Sequence, residues 1–220
     1  MAQRVILQDD FHQPVRHVIG LDVSNNRFDP EQMVYAAAAN LSYPSLILTE
    51  TAHRAEKQTV PYIPGLLGFR EVPILLNVYR QISVKPDLVM VDGHGISHPR
   101  GLGIASHFGV LLDIPTIGVA KSILVGKPAA PLAEEVGSAV PLIWKHREIG
   151  ILLRTKKRCS PLIISVGHKV SLPTAVEFTM SCLKGYRLPE PTRQAHLAAN
   201  ACRKFHAHFQ SAEPVDGRTL

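Results

Sequence analysis

The chain has little with which to cross-link itself or to enter a membrane. It carries three cysteines in 220 residues, Cys159, Cys182 and Cys202. Their odd number and wide, irregular spacing match no zinc knuckle or redox motif, so they read as reduced, unpaired thiols. No apolar run is long enough to cross a bilayer. The segment Met1 to Arg16 mixes charges with short apolar pieces and lacks the apolar core of a secretory signal. A cytoplasmic location without membrane contact is the default expectation, and a monomer the default oligomeric state. Internal repeats and low-complexity tracts are absent, and so is the glycine–lysine pattern of a nucleotide P-loop. What remains, 45% hydrophobic and 19% charged residues, is the composition of an ordinary soluble domain with a buried core.

Charge is unevenly spread. The net charge is +6, but Met1 to Trp144 holds 11 Lys and Arg against 13 Asp and Glu, whereas Lys145 to Leu220 holds 13 against 5. A basic part appended to a nearly neutral one suits a polyanionic partner, although a merely solvated basic surface would give the same count.

Val15 to Ser24 (VRHVIGLDVS) reads as a strand followed by the turn signal Asn25-Asn26. Met33 to Ser42 and Ser45 to Ala52 read as two more, the first despite the alanine run Ala36 to Ala39, making an antiparallel meander. A proline- and glycine-punctuated loop, Thr59 to Gly68, precedes a helix from about Pro73 to Ser83, with Pro73 in the tolerant first turn. Leu88 to Val91 is a short apolar strand of the buried type. The loop Asp92 to Gly103, a helix Ile104 to Leu112 and a strand Pro115 to Ala120 follow. Ile149 to Arg154 and Leu162 to Val166 continue the strands; Thr174 to Leu183 and Pro191 to Phe205 close the chain as helices. A meander followed by strand–helix–strand units predicts a ribonuclease H-like α/β fold, a mixed central sheet flanked by helices. One domain over residues 1–206 and a flexible tail over 207–220 are expected.

Asp22 lies near the end of the apolar strand Val18 to Val23, and Asp92 ends Leu88 to Val91. A buried carboxylate is costly unless it is paired or binds a cation. Strand ends are where ligands gather in open α/β sheets, and two carboxylates there suit a hard ion such as Mg²⁺. Either aspartate alone would more often cap a turn. Glu71, read alone, would be a helix-start glutamate favoured by the dipole.

Pro61-Tyr62-Ile63-Pro64-Gly65 is a stiffened aromatic tip that could enter a base stack and replace an extruded base, or pack on the core. The loop Gly93 to Gly103 contains glycines that admit close backbone approach to a ligand. Its two histidines lack a third ligand at zinc spacing. Lys121, at a strand end, could offset charge on a phosphoryl group or face solvent. His196 lies on the last helix, where a core or surface histidine is the commoner role. Arg187 could pair with a phosphate or with Glu190.

These stretches together resemble the endonuclease V family, the deoxyinosine 3′ endonucleases, from about Ile19 to His196. The most specific pieces are PYIPGLLGFRE (Pro61 to Glu71), VDGHGISHPRGLGIASHFG (Val91 to Gly109), DIPTIGVAKS (Asp113 to Ser122) and GYRLPEPTR (Gly185 to Arg193). The resemblance implies a ribonuclease H-like fold and hydrolysis dependent on Mg²⁺ or Mn²⁺. It implies a cut at the second phosphodiester bond 3′ to hypoxanthine, leaving a 3′-hydroxyl and a 5′-phosphate. It assigns Asp22, Glu71 and Asp92 to the metal-site carboxylates, with Asp22 and Asp92 as direct ligands. His196 matches a position near the metal that some members fill with Asp, and Lys121 matches a polar residue of the cleft. Tyr62 matches the strand-separating residue. Substrate contacts are expected from Pro61, Tyr62, Ile63, Pro64, Gly65 and Leu67, and from Gly95, His98, Gly103 and Arg187. The expected partner is DNA containing deoxyinosine. Inosine in single-stranded RNA is the alternative, because nothing in the residues speaks to the 2′-hydroxyl. A non-catalytic binding module would have no use for carboxylates that repel phosphate.

Overall fold

The computed structural model describes residues 1–25, 31–58 and 67–211, the side chains of 67 and 207–211 excepted. Nine strands form one sheet, in the order β3-β2-β1-β4-β5-β9-β8-β7-β6. β1 (His17–Asn25), β2 (Met33–Ser42) and β3 (Leu48–Lys57) make the expected antiparallel meander. β4 (Leu88–Val91) and β5 (Thr116–Ala120) then run parallel to β1.

Ala36 to Ala39 would favour helix by propensity. They lie in β2 because that strand is sandwiched, and all four are fully buried. Small side chains on both faces let helices lie against the sheet from either side, and packing overrides propensity. β3 is an edge strand, and Glu50, Arg54, Glu56 and Lys57 give it the charge that discourages pairing with another chain.

α1 runs Leu67–Gln81, so Pro73 lies inside the helix rather than at its start. Pro73 reads as a helix start in the sequence, but tertiary packing carries the helix through it: Val72, Ile74, Leu75 and Val78 are all buried in one cluster. α2 (Ile104–Leu112) packs in that same cluster, against Ile19, Leu21, Val89 and Val91. Alternate strand residues, Val18, Leu88, Met90, Ile117 and Val119, enter a second cluster with Ala175 of α3 (Leu172–Ser181) and Ala195 of α4 (Glu190–Ser211). The sheet is thus covered on both faces, as a ribonuclease H-like fold requires.

The second half of the sheet is antiparallel. β9 (Leu162–His168) joins β5 antiparallel, followed outward by β8 (Arg147–Leu153), β7 (Ala139–Trp144) and the short β6 (Lys127–Pro128), all antiparallel. β6 and β7 were not anticipated. Lys145 and His146 join β7 to β8 with φ of 50° and 60°, left-handed values usually signalled by Asn or Gly. The hairpin therefore carries no turn signature in its sequence. α4 continues to Ser211, past the expected end at Phe205. Among the described residues no helix is long and apolar enough to cross a membrane.

Candidate functional site

The parallel pairing of β1 and β4 sets Leu21 opposite Val91, and the Asp92 amide donates to the Leu21 carbonyl (2.9 Å). Asp22 and Asp92 therefore stand at the same end of adjacent central strands. Side chains alternate along a strand, so Asp22 shares the face of Gly20, and Asp92 that of Met90. This is the face covered by α4.

Gly20 explains how α4 comes so close. A Cβ built there would lie 1.9 Å from the Pro191 carbonyl oxygen, so only a bare backbone lets the helix start rest on β1. That seat carries His196 over Asp22. Ser24 Oγ donates to Asn200 Oδ1 (2.8 Å), and Asn200 Nδ2 donates to His196 Nε2 (3.0 Å). The ring proton is thereby left on Nδ1, which donates to Asp22 Oδ2 (2.7 Å). At the end of β5, the Lys121 ammonium forms an ion pair with Asp92 Oδ2 and lies 3.5 Å from His196 Nδ1. Asp22, Asp92 and His196 each offer one ligand atom within 4.8 Å of the others.

Glu71, in α1, is buried beside this cluster. Burial, then the charge of Asp22 and that of Asp92, raise its pKa to about 8 against the opposing pull of Arg70. Burial and the Asp22 charge push Asp92 up to about 6, while Lys121 and His196 pull the other way. Two oxygen donors and an imidazole, with like charges forced together out of water, fit a hard divalent cation. A cation among them would relieve the repulsion that adds to burial in raising Glu71 and Asp92.

A pH dependence follows. Glu71 in the folded chain binds its proton more tightly than its ordinary 4.5, so its contribution to stability is full at low pH and is lost as pH rises through about 8. In a chelating buffer the melting temperature should fall between about pH 5 and about pH 8. Glu71→Gln should flatten that slope. A slope identical in the variant would show that the proton sits elsewhere.

The other expected residues fall as follows. Pro61, Tyr62, Ile63, Pro64 and Gly65 lie outside the described residues, as does the side chain of Leu67. The Gly95 amide donates to Ser165 Oγ (2.9 Å), and a Cβ at Gly95 would lie 2.0 Å from the Val166 carbonyl oxygen, so the loop is pressed onto β9. Gly103 closes the loop by donating to the Gly95 carbonyl (2.9 Å). His98 is half-buried, accepts from the Arg100 amide (3.2 Å), and is held below its ordinary pKa by burial and then by Arg100. Arg187 donates through Nε to the Ser160 carbonyl (2.8 Å) and through Nη2 to those of Lys121 (2.8 Å) and Pro161 (3.2 Å). Glu190 takes Arg193 as its partner, not Arg187 (2.7 and 2.8 Å). Asn200, Ser24 and Gly20 were missed. Asn200 alone had a legible signal, its place one helical turn beyond His196.

Comparison with known proteins places the chain in context. The family model for endonuclease V matches residues 1–197. An endonuclease V from Protochlamydia amoebophila is 56% identical over 93% of this chain and 86% of its own length. The crystal structure of an endonuclease V from Streptomyces avermitilis superposes with a TM-score of 0.85 at 38% identity, over 93% of this chain and 90% of that one. An endonuclease V from Ciona intestinalis, in complex with DNA containing an inosine followed by a ribo-adenosine, gives 0.79 at 26% identity over 93% and 94%.

Proposed function

The chain belongs to the endonuclease V family, a family of nucleases, and on that premise we propose that it is a Mg²⁺-dependent endonuclease acting on DNA that contains deoxyinosine. In this reading it hydrolyses the second phosphodiester bond 3′ to hypoxanthine and leaves a 3′-hydroxyl and a 5′-phosphate. The observation that carries the proposal is the set of ligand atoms of Asp22, Asp92 and His196 within 4.8 Å of one another, brought together by β1, the end of the parallel β4, and α4.

Asp22 and Asp92 are the proposed ligands of Mg²⁺, or of Mn²⁺ in its place. The bound ion would supply Lewis acidity at a phosphoryl oxygen and a lowered pKa for water. His196 steadies Asp22 through its Nδ1–H and, with its Nε2 engaged by Asn200, would act on the ion through water, while Glu71 would complete the surroundings of the ion directly or through water. Lys121, already drawn to Asp92, offsets negative charge on the phosphoryl group as the bond breaks. Arg187 grips the backbone carbonyl of Lys121 and so holds the base of that side chain. Tyr62 is assigned the gap left when the base is flipped out. Gly65, Gly95, Gly103 and His98 are assigned to the walls around that base.

The strand bound by the Ciona relative carries a ribose directly after the inosine. That favours keeping a second reading, in which the same metal site cuts inosine-containing single-stranded RNA. Matched DNA and RNA oligonucleotides with one inosine or one adenosine decide between them. The first reading expects deoxyinosine DNA to be cut faster than inosine RNA, and both adenosine controls to stay intact. Equal cutting of the adenosine controls would remove inosine recognition altogether.

A further inference from the structure

Tyr186 lies between α3 and α4, directly after Gly185, whose φ of 75° turns the chain there. Half of its surface is open to solvent. The Arg193 guanidinium lies 4.1 Å from the ring centroid and is itself fixed by its two bonds to Glu190. The Lys156 ammonium lies 5.8 Å from the same centroid. An exposed ring held against a fixed cation is rigid and polarised, and its remaining surface is available for stacking.

The ring is tied to the candidate site through its neighbour. Arg187 is pinned by the carbonyls of Lys121, Ser160 and Pro161, and its own carbonyl accepts from Thr155 Oγ1 (2.6 Å). Tyr186 therefore rides on backbone locked to that of Lys121, whose ammonium meets Asp92. Lys156, Lys157 and Arg158 are exposed in the β8–β9 loop, and none forms an ion pair with a carboxylate among the described residues. Unpaired cations beside a rigid open ring suit a nucleic-acid strand, phosphates on the cations and a base on the ring. An acidic protein partner would use the cations and leave the ring idle.

We propose that Tyr186, backed by Arg193 and flanked by Lys156 and Lys157, is a stacking subsite for an unpaired base of the substrate strand, outside the scissile step. The proposal deepens the nuclease reading and rests on it for the identity of the strand. Its test uses the full chain and three probes: an inosine-containing single-stranded oligonucleotide, an oligothymidylate without lesion, and heparin as a polyanion without bases. Tyr186→Ala should weaken both oligonucleotides about tenfold by fluorescence anisotropy, and Tyr186→Phe by no more than about twofold. Heparin binding should be unchanged in both. Lys156→Ala with Lys157→Ala should weaken all three probes and reduce the slope of log affinity against log salt for the oligonucleotides by about 1.4. The lesion-free probe reads the subsite even where inosine cleavage fails, so the two readings fall separately. Unchanged oligonucleotide binding by Tyr186→Ala overturns the proposal. So does an equal loss on heparin, or a Tyr186→Phe loss as large as that of Ala.

Discussion

Asp92→Ala is expected to slow single-turnover cleavage of an inosine-containing strand by at least about a thousandfold, roughly 4 kcal/mol of transition-state stabilisation. The carboxylate is buried at the end of β4, beside Asp22 and in contact with Lys121. Its removal deletes one proposed oxygen ligand and releases the ammonium that would face the phosphate. Binding of the strand should survive, because one negative charge fewer stands in the path of the phosphates. The pair of readouts matters: cleavage by stopped time course, binding by anisotropy. A variant that cuts within about tenfold of the parent would move the metal away from β4. A variant that loses binding and cleavage together would point to a collapsed fold instead.

Gly20→Val is expected to be the most damaging single change outside the polar cluster. Gly20 lies mid-strand in β1, between Ala39 of β2 and Met90 of β4, so the sheet cannot yield sideways. Above it the Pro191 carbonyl would stand 1.9 Å from the new Cβ, so α4 must lift. Overpacking of this kind costs about 3 kcal/mol. Lifting α4 also carries His196 and Asn200 away from Asp22 and Ser24. Denaturant unfolding should show the lost stability, and the folded fraction should still cleave far more slowly than the parent. Parent-like stability would mean that the helix has another way to seat.

The two effects separate what the sequence discloses from what it hides. Asp22 and Asp92 were legible as a pair, because each puts a charge within or directly after an apolar strand, although either alone reads as a turn cap. The β1–β2 pairing and the short parallel strands were legible for the same reason, since apolar runs report burial directly. Glu71, apart from the family resemblance, reads as a helix-start glutamate; α1 begins at Leu67 and buries it where it feels the Asp22 charge. His196 and Asn200 depend on where α4 lands, which is set by a missing side chain at Gly20, and absence leaves no periodic trace. The β7–β8 hairpin was hidden because Lys145 and His146 adopt left-handed backbone without the residues that usually announce it. The motif around Tyr62 was plain in the sequence and lies outside the described residues.

The most direct measurement maps the ends produced from an oligonucleotide with one deoxyinosine, in Mg²⁺ and then in excess chelator. The proposal predicts one cut, at the second phosphodiester bond 3′ to the lesion, with a 5′-phosphate on the downstream product, and none in chelator. Cutting that persists in chelator would contradict a metal centre built on Asp22 and Asp92, and cutting that falls equally on an adenine control would contradict recognition of hypoxanthine.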